Sequence, residues 1–406
     1  MSNNKNTYWI VVIAALGYFV DIYDLILFNV VKEASLNAIG ITGDLYKTYE
    51  VSLFNWQMFG MLLGGLLWGI LGDKKGRVSV LFGSILLYSL ANIANGLVVN
   101  IDQYRICRLI AGIGLAGELG AGITLVSETM HKEKRGIGTT IIVSFGALGA
   151  VAAALVGKQF HWNTAYFVGG GLGLALLALR AGAFESGMYN SIKKESHVKR
   201  GNFLMLFNNK KRLLTYLQCI AIGVPIWFMI GILINLSPRF VKIDGVDTKT
   251  MVAQAVMFTY IGLSAGDVVS GLLSQYLKSR KKVIFLYLFM SIALVAYFLS
   301  VPNPSLNGFR LNCLLLGLGT GYWALFVQVA SENFGTNIRS TVTNTVPNFV
   351  RGSVVIVSYA FTKLSGVIGN QNSAIVVGAF CLALALVSLT FMKETFSEDL
   401  NYHEVD

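Results

Sequence analysis

Residues 59–77 read FGMLLGGLLWGILGDKKGR, and residues 261–282 read IGLSAGDVVSGLLSQYLKSRKK. Gly60, Gly64 and Gly69 of the first stretch align with Gly262, Gly266 and Gly271 of the second at a constant offset of 202. A second correspondence joins SETMHKEKR at 127–135 to SENFGTNIR at 331–339, with Glu128 and Glu332 each seven positions before Arg135 and Arg339. The chain therefore carries an internal repeat. Working outward from it, each unit holds six apolar spans. Two such bundles facing one another enclose a central cavity that can rock open to either side of a membrane.

The composition agrees with a chain that lives in lipid. Of 406 residues, 54% are hydrophobic and only 13% are charged. A helix needs about 20 apolar residues to cross the hydrocarbon core. Twelve stretches of that kind lie at 8–31, 49–71, 78–99, 103–127, 137–158 and 164–184, then 213–236, 250–275, 282–301, 308–330, 340–364 and 373–392. The expected organisation is an all-α polytopic membrane protein with an N-terminal six-helix bundle over 1–184 and a C-terminal one over 213–392. The polar stretch 185–212 links them and 393–406 forms a cytoplasmic tail. The first span is too long for a signal-peptide core and lacks a small-residue cleavage pattern, so it reads as a retained helix.

The net charge of +11 is unevenly placed. With the amino terminus in the cytoplasm, the inner loops hold 18 Lys and Arg and the outer loops 6. That asymmetry is the positive-inside pattern, with both termini cytoplasmic in a cell inner membrane, and it argues against a nucleic-acid surface. The four cysteines are far apart inside spans, and His131, His161, His197 and His403 lie in loops, at span ends or in the tail. Neither set has ligand spacing, so no metal or other cofactor is expected. GIGLAG at 112–117 matches a dinucleotide fingerprint in letters only, because it lies in a membrane span rather than after a strand. No phosphate loop occurs, so direct ATP drive has no support, and no nucleophile–base pair occurs at mid-membrane spacing, which points away from an enzyme.

At these residues the chain resembles the major facilitator superfamily of secondary transporters. GGLLWGILGDKKGR is similar to that family's loop between the second and third helices, with Gly69, Asp73, Gly76 and Arg77 in the matching places. RLIAGIGLAGELGAG, beginning at Arg108, resembles its fourth-helix motif, and the two Glu-to-Arg elements resemble inner loops of the sugar-porter and organic-solute branches. VDIYDL at 20–25 is similar to the first-helix pattern of aromatic-acid/proton symporters, with Ile22 where a glycine is usual. The resemblance implies twelve helices in two pseudo-symmetric bundles. It also implies that Asp73, Arg77, Glu128, Arg135, Glu332 and Arg339 form an inner latch. Gln275 replaces the second-half counterpart of Asp73, so a lopsided latch is expected.

Charges inside the spans carry the functional expectations. An ionised side chain at mid-membrane costs several kcal/mol unless it is paired, hydrated or neutralised. Asp21, Asp24, Glu118 and Arg108 are therefore candidates for proton coupling, on a wet cavity rather than on lipid. Counting about 1.5 Å per residue puts Asp24 and Arg108 in one layer, which predicts a carboxylate–guanidinium pair. Glu118 either relays the proton or ties its helix to a neighbour. Arg351 lies near the centre of the eleventh span, after Pro347, where the helix is expected to be interrupted. Its fork suits an anionic solute, with Asp267 as the alternative fixed partner. Matching the halves at an offset of 204 places Tyr322 opposite Glu118, and matching Gly17 with Gly223 places Trp227 opposite Asp21. Arg108, Arg351, Trp227, Tyr322, Asn344, Asn348, Tyr23 and Gln57 are the candidate substrate contacts.

The reading is a proton-coupled importer of a small organic anion that works by alternating access as a functional monomer, with protons and a small-molecule substrate as its partners and membrane lipid around it. A proton-antiport exporter of drugs, metabolites or siderophores shares the fold and the acids, and a channel or receptor on the same scaffold is the more distant alternative.

Overall fold

The computed structural model describes residues 2–131, 133–180, 200–301 and 304–404. Among them the regular structure is helical throughout: α1 (Ser2–Ala38), α2 (Asp44–Lys75), α3 (Arg77–Asn95), α4 (Ile101–Leu115), α5 (Glu118–Thr129), α6 (Arg135–Gln159) and α7 (Trp162–Leu179) come first. Then follow α8 (Met205–Asn208), α9 (Lys210–Phe228) with a π-helical turn at Met229–Ile234, α10 (Thr248–Tyr276), α11 (Arg280–Ser300), α12 (Leu306–Thr320), α13 (Trp323–Glu332) and α14 (Arg339–Phe391). In lipid every backbone polar group must be satisfied inside the chain, and uninterrupted helices do this. Short polar caps restart them. Asn100, Asn209, Asp247, Ser279 and Ser305 each accept backbone N–H groups at the start of α4, α9, α10, α11 and α12.

Eleven helical segments among the described residues are long and apolar enough to cross a membrane. One of them, α14, has 53 residues, which at about 1.5 Å per residue is far more than one crossing needs. Gly369 breaks it at φ 80°, a left-handed backbone value that favours glycine. The two arms supply the eleventh and twelfth crossings. The expected interruption at Pro347 is not found: α14 runs helically through it and bends away only at Gly369. The interruptions fall instead in the fourth and tenth crossings, between α4 and α5 at Ala116–Gly117 and between α12 and α13 at Gly321–Tyr322.

The repeat is visible as packing. A Cβ on Gly60 or Gly64 would collide with the carbonyl oxygens of Leu109 and Ile113, and one on Gly262 or Gly266 with those of Leu314 and Leu318. Thus α2 packs on α4 as α10 packs on α12, at offsets of 202 and 205. The offset is thus 205 in α4 and α12, and it is 204 beyond the break, where Glu128 matches Glu332; α5 begins at Glu118 and α13 at Trp323.

Four crossings are much more buried than the rest: α1, α4–α5, α9 with its π turn, and α12–α13. They form the centre. The two halves touch along α2 and α14, where Gly65 and Gly69 meet Asn344, Asn348 and Thr341, and along α6 and α10, where Ser264 Oγ donates to the Ser144 carbonyl at 2.7 Å. The stretch 200–212 continues into α9, and the remainder of the expected linker, 185–199, lies outside the described residues.

Candidate functional site

Three charge clusters lie at different depths. The central one is built by α1, α14 and the start of α13. Arg351 Nη2 stands 4.0 Å from Asp21 Oδ2 and donates to the Tyr18 hydroxyl at 3.4 Å, while Nη1 donates to Asn348 Oδ1 at 3.3 Å. The guanidinium lies 5.5 Å from the centre of the Trp323 ring, which meets Trp227 edge-on at 6.4 Å. Asp21 and Arg351 are 0% and 1% exposed. Yet neither Asp21 oxygen has a hydrogen-bond partner among the described residues. The expected alternative partner of Arg351, Asp267, is engaged elsewhere: its Oδ1 accepts the Ala324 N–H at 3.0 Å.

Towards the end of the bundle away from the chain termini, Asp24 and Arg108 share a layer but do not form the expected pair. Arg108 donates to Gln57 Oε1 and lies 4.3 Å from the centre of the Phe28 ring. Asp24 lies beside Gly169 of α7 and is approached by the Asn92 side chain, without a well-formed hydrogen bond to either oxygen among the described residues. The reason is azimuth. Counting rise along two helices gives a common depth and says nothing of which way each side chain faces. Tyr23, next to Asp24, is a tether: its hydroxyl donates to the Ala165 carbonyl at 2.9 Å. Among the described residues the expected wet cavity does not reach these acids, since Asp21, Asp24, Gln57 and Arg108 are all buried.

Glu118 is tied. Arg180, just past the end of α7, reaches it through two parallel bonds, Nη2 to Oε2 at 2.7 Å and Nη1 to Oε1 at 2.9 Å, and Ser84 Oγ adds a third at 2.8 Å. Of the two expected roles, tying the helix to its neighbours is the one this geometry serves. Arg180 was visible in ALLALRAGAF as an arginine inside an apolar run, and its place at the span end hid its depth. Tyr322 is likewise a pin, donating to the Ile222 carbonyl at 3.0 Å on α9. Asn344 and Asn348 join the halves along α14, with Asn348 Nδ2 donating to the Ala116 carbonyl at 3.0 Å beside the helix break. The side-chain oxygen of Asn344 has no hydrogen-bond partner among the described residues.

At the terminus-side end the charges interlock. Asp73 caps the start of α14, accepting from Ser340 N–H at 3.0 Å and from the Thr341 N–H and Oγ1 at 2.8 and 2.7 Å. Arg77 and Arg339, from opposite halves, converge on Glu128 Oε1 at 2.7 and 3.0 Å. The second-half counterpart is weaker: Glu332 meets Arg280 at 3.5 Å, and the Gln275 amide nitrogen has no partner among the described residues. The segment after α14 is more than a tail. Thr395 Oγ1 donates to Glu332, the Glu398 carbonyl accepts from Arg135 at 3.1 Å, and the Leu400 carbonyl accepts from Arg339 at 2.7 Å. It straps this charge cluster on both halves. Among the described residues, the hydrogen bonds and ion pairs that join the halves lie between this end and the Tyr18–Arg351–Asp21 layer.

The chain is similar to carriers along its length. It is 24% identical over 386 residues to the sialic acid transporter NanX of Escherichia coli strain K12, covering 93% of this chain and 92% of that protein. It is 27% identical over 407 residues to a probable 4-methylmuconolactone transporter of Cupriavidus pinatubonensis, covering 96% and 91%. Its fold matches that of the proton:xylose symporter XylE with a TM-score of 0.77, at 15% identity and 98% coverage of both chains. Residues 14–370 match the Major Facilitator Superfamily. The chain is thus a multi-pass membrane transporter, not an enzyme, and belongs to the Major Facilitator Superfamily.

Proposed function

We propose that this transporter moves a small organic anion together with protons by alternating access, with Asp21 as the coupling acid and Arg351 as the anion's contact. The observation that carries the reading is the central pair: a guanidinium over an aromatic ring, 4.0 Å from a buried carboxylate that has no hydrogen bond among the described residues. Burying an unpartnered carboxylate is costly unless it takes up a proton or gains a cation. A substrate anion binding Arg351 competes with Asp21 for the same guanidinium, and a proton on Asp21 removes that competition. Substrate and proton then favour each other. The relatives' named cargoes support an anion, since sialic acid carries a carboxylate.

The two bundles, 1–184 and 213–392, rock about the 185–212 connection, and the protein works as a monomer. The excess of Lys and Arg in the loops of the terminus-bearing side supports a cytoplasmic placement of both termini in an inner membrane. On that placement the latch closes the cytoplasmic side. Asp24, Arg108 and Gln57 form an outer relay toward Asp21, while Trp227, Asn344 and Asn348 line the path between the halves.

Uptake into proteoliposomes tests this. Acid outside should accelerate entry of labelled sialic acid or 4-methylmuconolactone and leave neutral xylose without accumulation. Acceleration by acid inside instead would make the protein an exporter, and entry indifferent to either gradient would remove the protons from the cycle.

A further inference from the structure

One buried carboxylate, Asp267, is not used by this coupling scheme. It follows Gly266 on α10, where that helix and the break between α12 and α13 are so close that a Cβ on Gly321 would collide with the Gly266 backbone. α13 restarts at Trp323, and Tyr322 at its N-cap gives no side-chain capping bond. The cap comes from the neighbouring helix instead, through the 3.0 Å bond from the Ala324 N–H to Asp267 Oδ1. A carboxylate there satisfies an orphan donor of the helix start and complements its dipole. The first residue of α13 is the one that matters for the centre. The Trp323 ring packs 4.8 Å from Phe326 and carries Arg351 at 5.5 Å.

We propose that Asp267 is a positioning residue: by capping α13 from the adjacent helix, it holds Trp323 beneath the Arg351 guanidinium and so keeps that arginine within reach of Asp21. The two halves solve the same problem differently. Where α5 restarts, Glu118 is the helix's own first residue and is held by Arg180; where α13 restarts, an apolar aromatic takes that place and the acid is borrowed from α10. An apolar ring at the helix start leaves Arg351 a face to stack on, which a second ion pair there would have occupied. The consequence for transport rests on the proposed anion role of Arg351, whereas the capping does not.

The test is hydrogen exchange of the full-length protein in nanodiscs, read over 322–332. It is combined with Trp323 emission, taken as the difference between each form and its Trp323→Phe counterpart. Asp267→Ala should exchange about five-fold faster around Ala324, the scale of one lost helix cap, and its Trp323 emission should shift. Asp267→Asn keeps an oxygen that accepts the same bond and should match the wild type in both. Unchanged exchange and emission in Asp267→Ala overturn the proposal, and so does an equal loss in both variants, because charge rather than capping would then be responsible. If Asp267→Ala exchanges fast throughout the chain, Asp267→Asn decides alone: a protected α13 supports the proposal and an unprotected one overturns it. Loss of the cap with an unaltered KM for sialic acid uptake would uphold the positioning and sink the anion role of Arg351.

Discussion

Glu128, at the terminus-side end, accepts from Arg77 and Arg339 at 2.7 and 3.0 Å, whereas Asp21, midway along α1, stands 4.0 Å from Arg351 with no hydrogen bond among the described residues. Both carboxylates are buried, and both face an arginine across the boundary between the halves. The difference is in satisfaction. Around Glu128, Asp73 and the strap, carboxylates and carbonyls meet donors from the opposite half, so this end is held in one arrangement. The central layer leaves acceptors and donors open, so its balance shifts with any proton or anion that arrives. Closing one end firmly while keeping the middle undecided is what a carrier in one of its two states requires.

The contrast can be tested first where burial is deepest. Removing one partner of a buried ion pair strands the other charge, so Arg180→Leu should destabilise the protein by about 3–5 kcal/mol in thermal unfolding, and Arg180→Leu with Glu118→Leu should recover much of that. An equal loss in both would mean that Glu118 is not the stranded group. Arg351→Lys comes next. It keeps the charge and loses the fork, and should weaken binding of sialic acid by about 10-fold in a thermal-shift titration, the scale of one hydrogen bond to a charged group.

Glu128→Gln weakens the latch while leaving the central layer intact. Alkylation of a cysteine placed at Thr336 should speed up by about 5-fold, a coupling of about 1 kcal/mol. The strap gives the smallest effect. Burial acts to raise the pKa of Glu394, but Ser279 Oγ and the backbone N–H groups of Arg280, Phe396 and Lys281 outweigh it and hold the carboxyl below its usual range. Its contribution is therefore present above the ordinary carboxylate pKa and is lost as pH falls through the lowered value. Proteolysis within 394–404 should quicken only under acid, and Glu394→Gln should quicken it at neutral pH.

How far the letters alone could go follows from what each quantity encodes. The glycine offset of 202 gave the repeat, because a missing Cβ is a packing requirement that leaves its mark on sequence. That Asp73, Arg77, Glu128 and Arg339 would gather at one end was legible for a different reason: they sit at helix ends whose positions the spans define. The centre was only half legible. Asp21 and Asp24 are three residues apart, and that modest rotation sends one toward α14 and the other toward α7. The one-residue change of offset where α12 gives way to α13, from 205 to 204, could not be read from letters, because it becomes visible only in the packing of α12 on α10. The strap was out of reach, since SEDLNYHE has no periodicity and docks largely through its backbone carbonyls.

The central claim is that Asp21 trades its proton against the Arg351 guanidinium. Sialic acid accumulation driven by an imposed pH gradient, compared with its counterflow in the same proteoliposomes, tests it in Asp21→Asn. The account predicts that counterflow persists while gradient-driven accumulation disappears. Accumulation at the wild-type level in Asp21→Asn would contradict it.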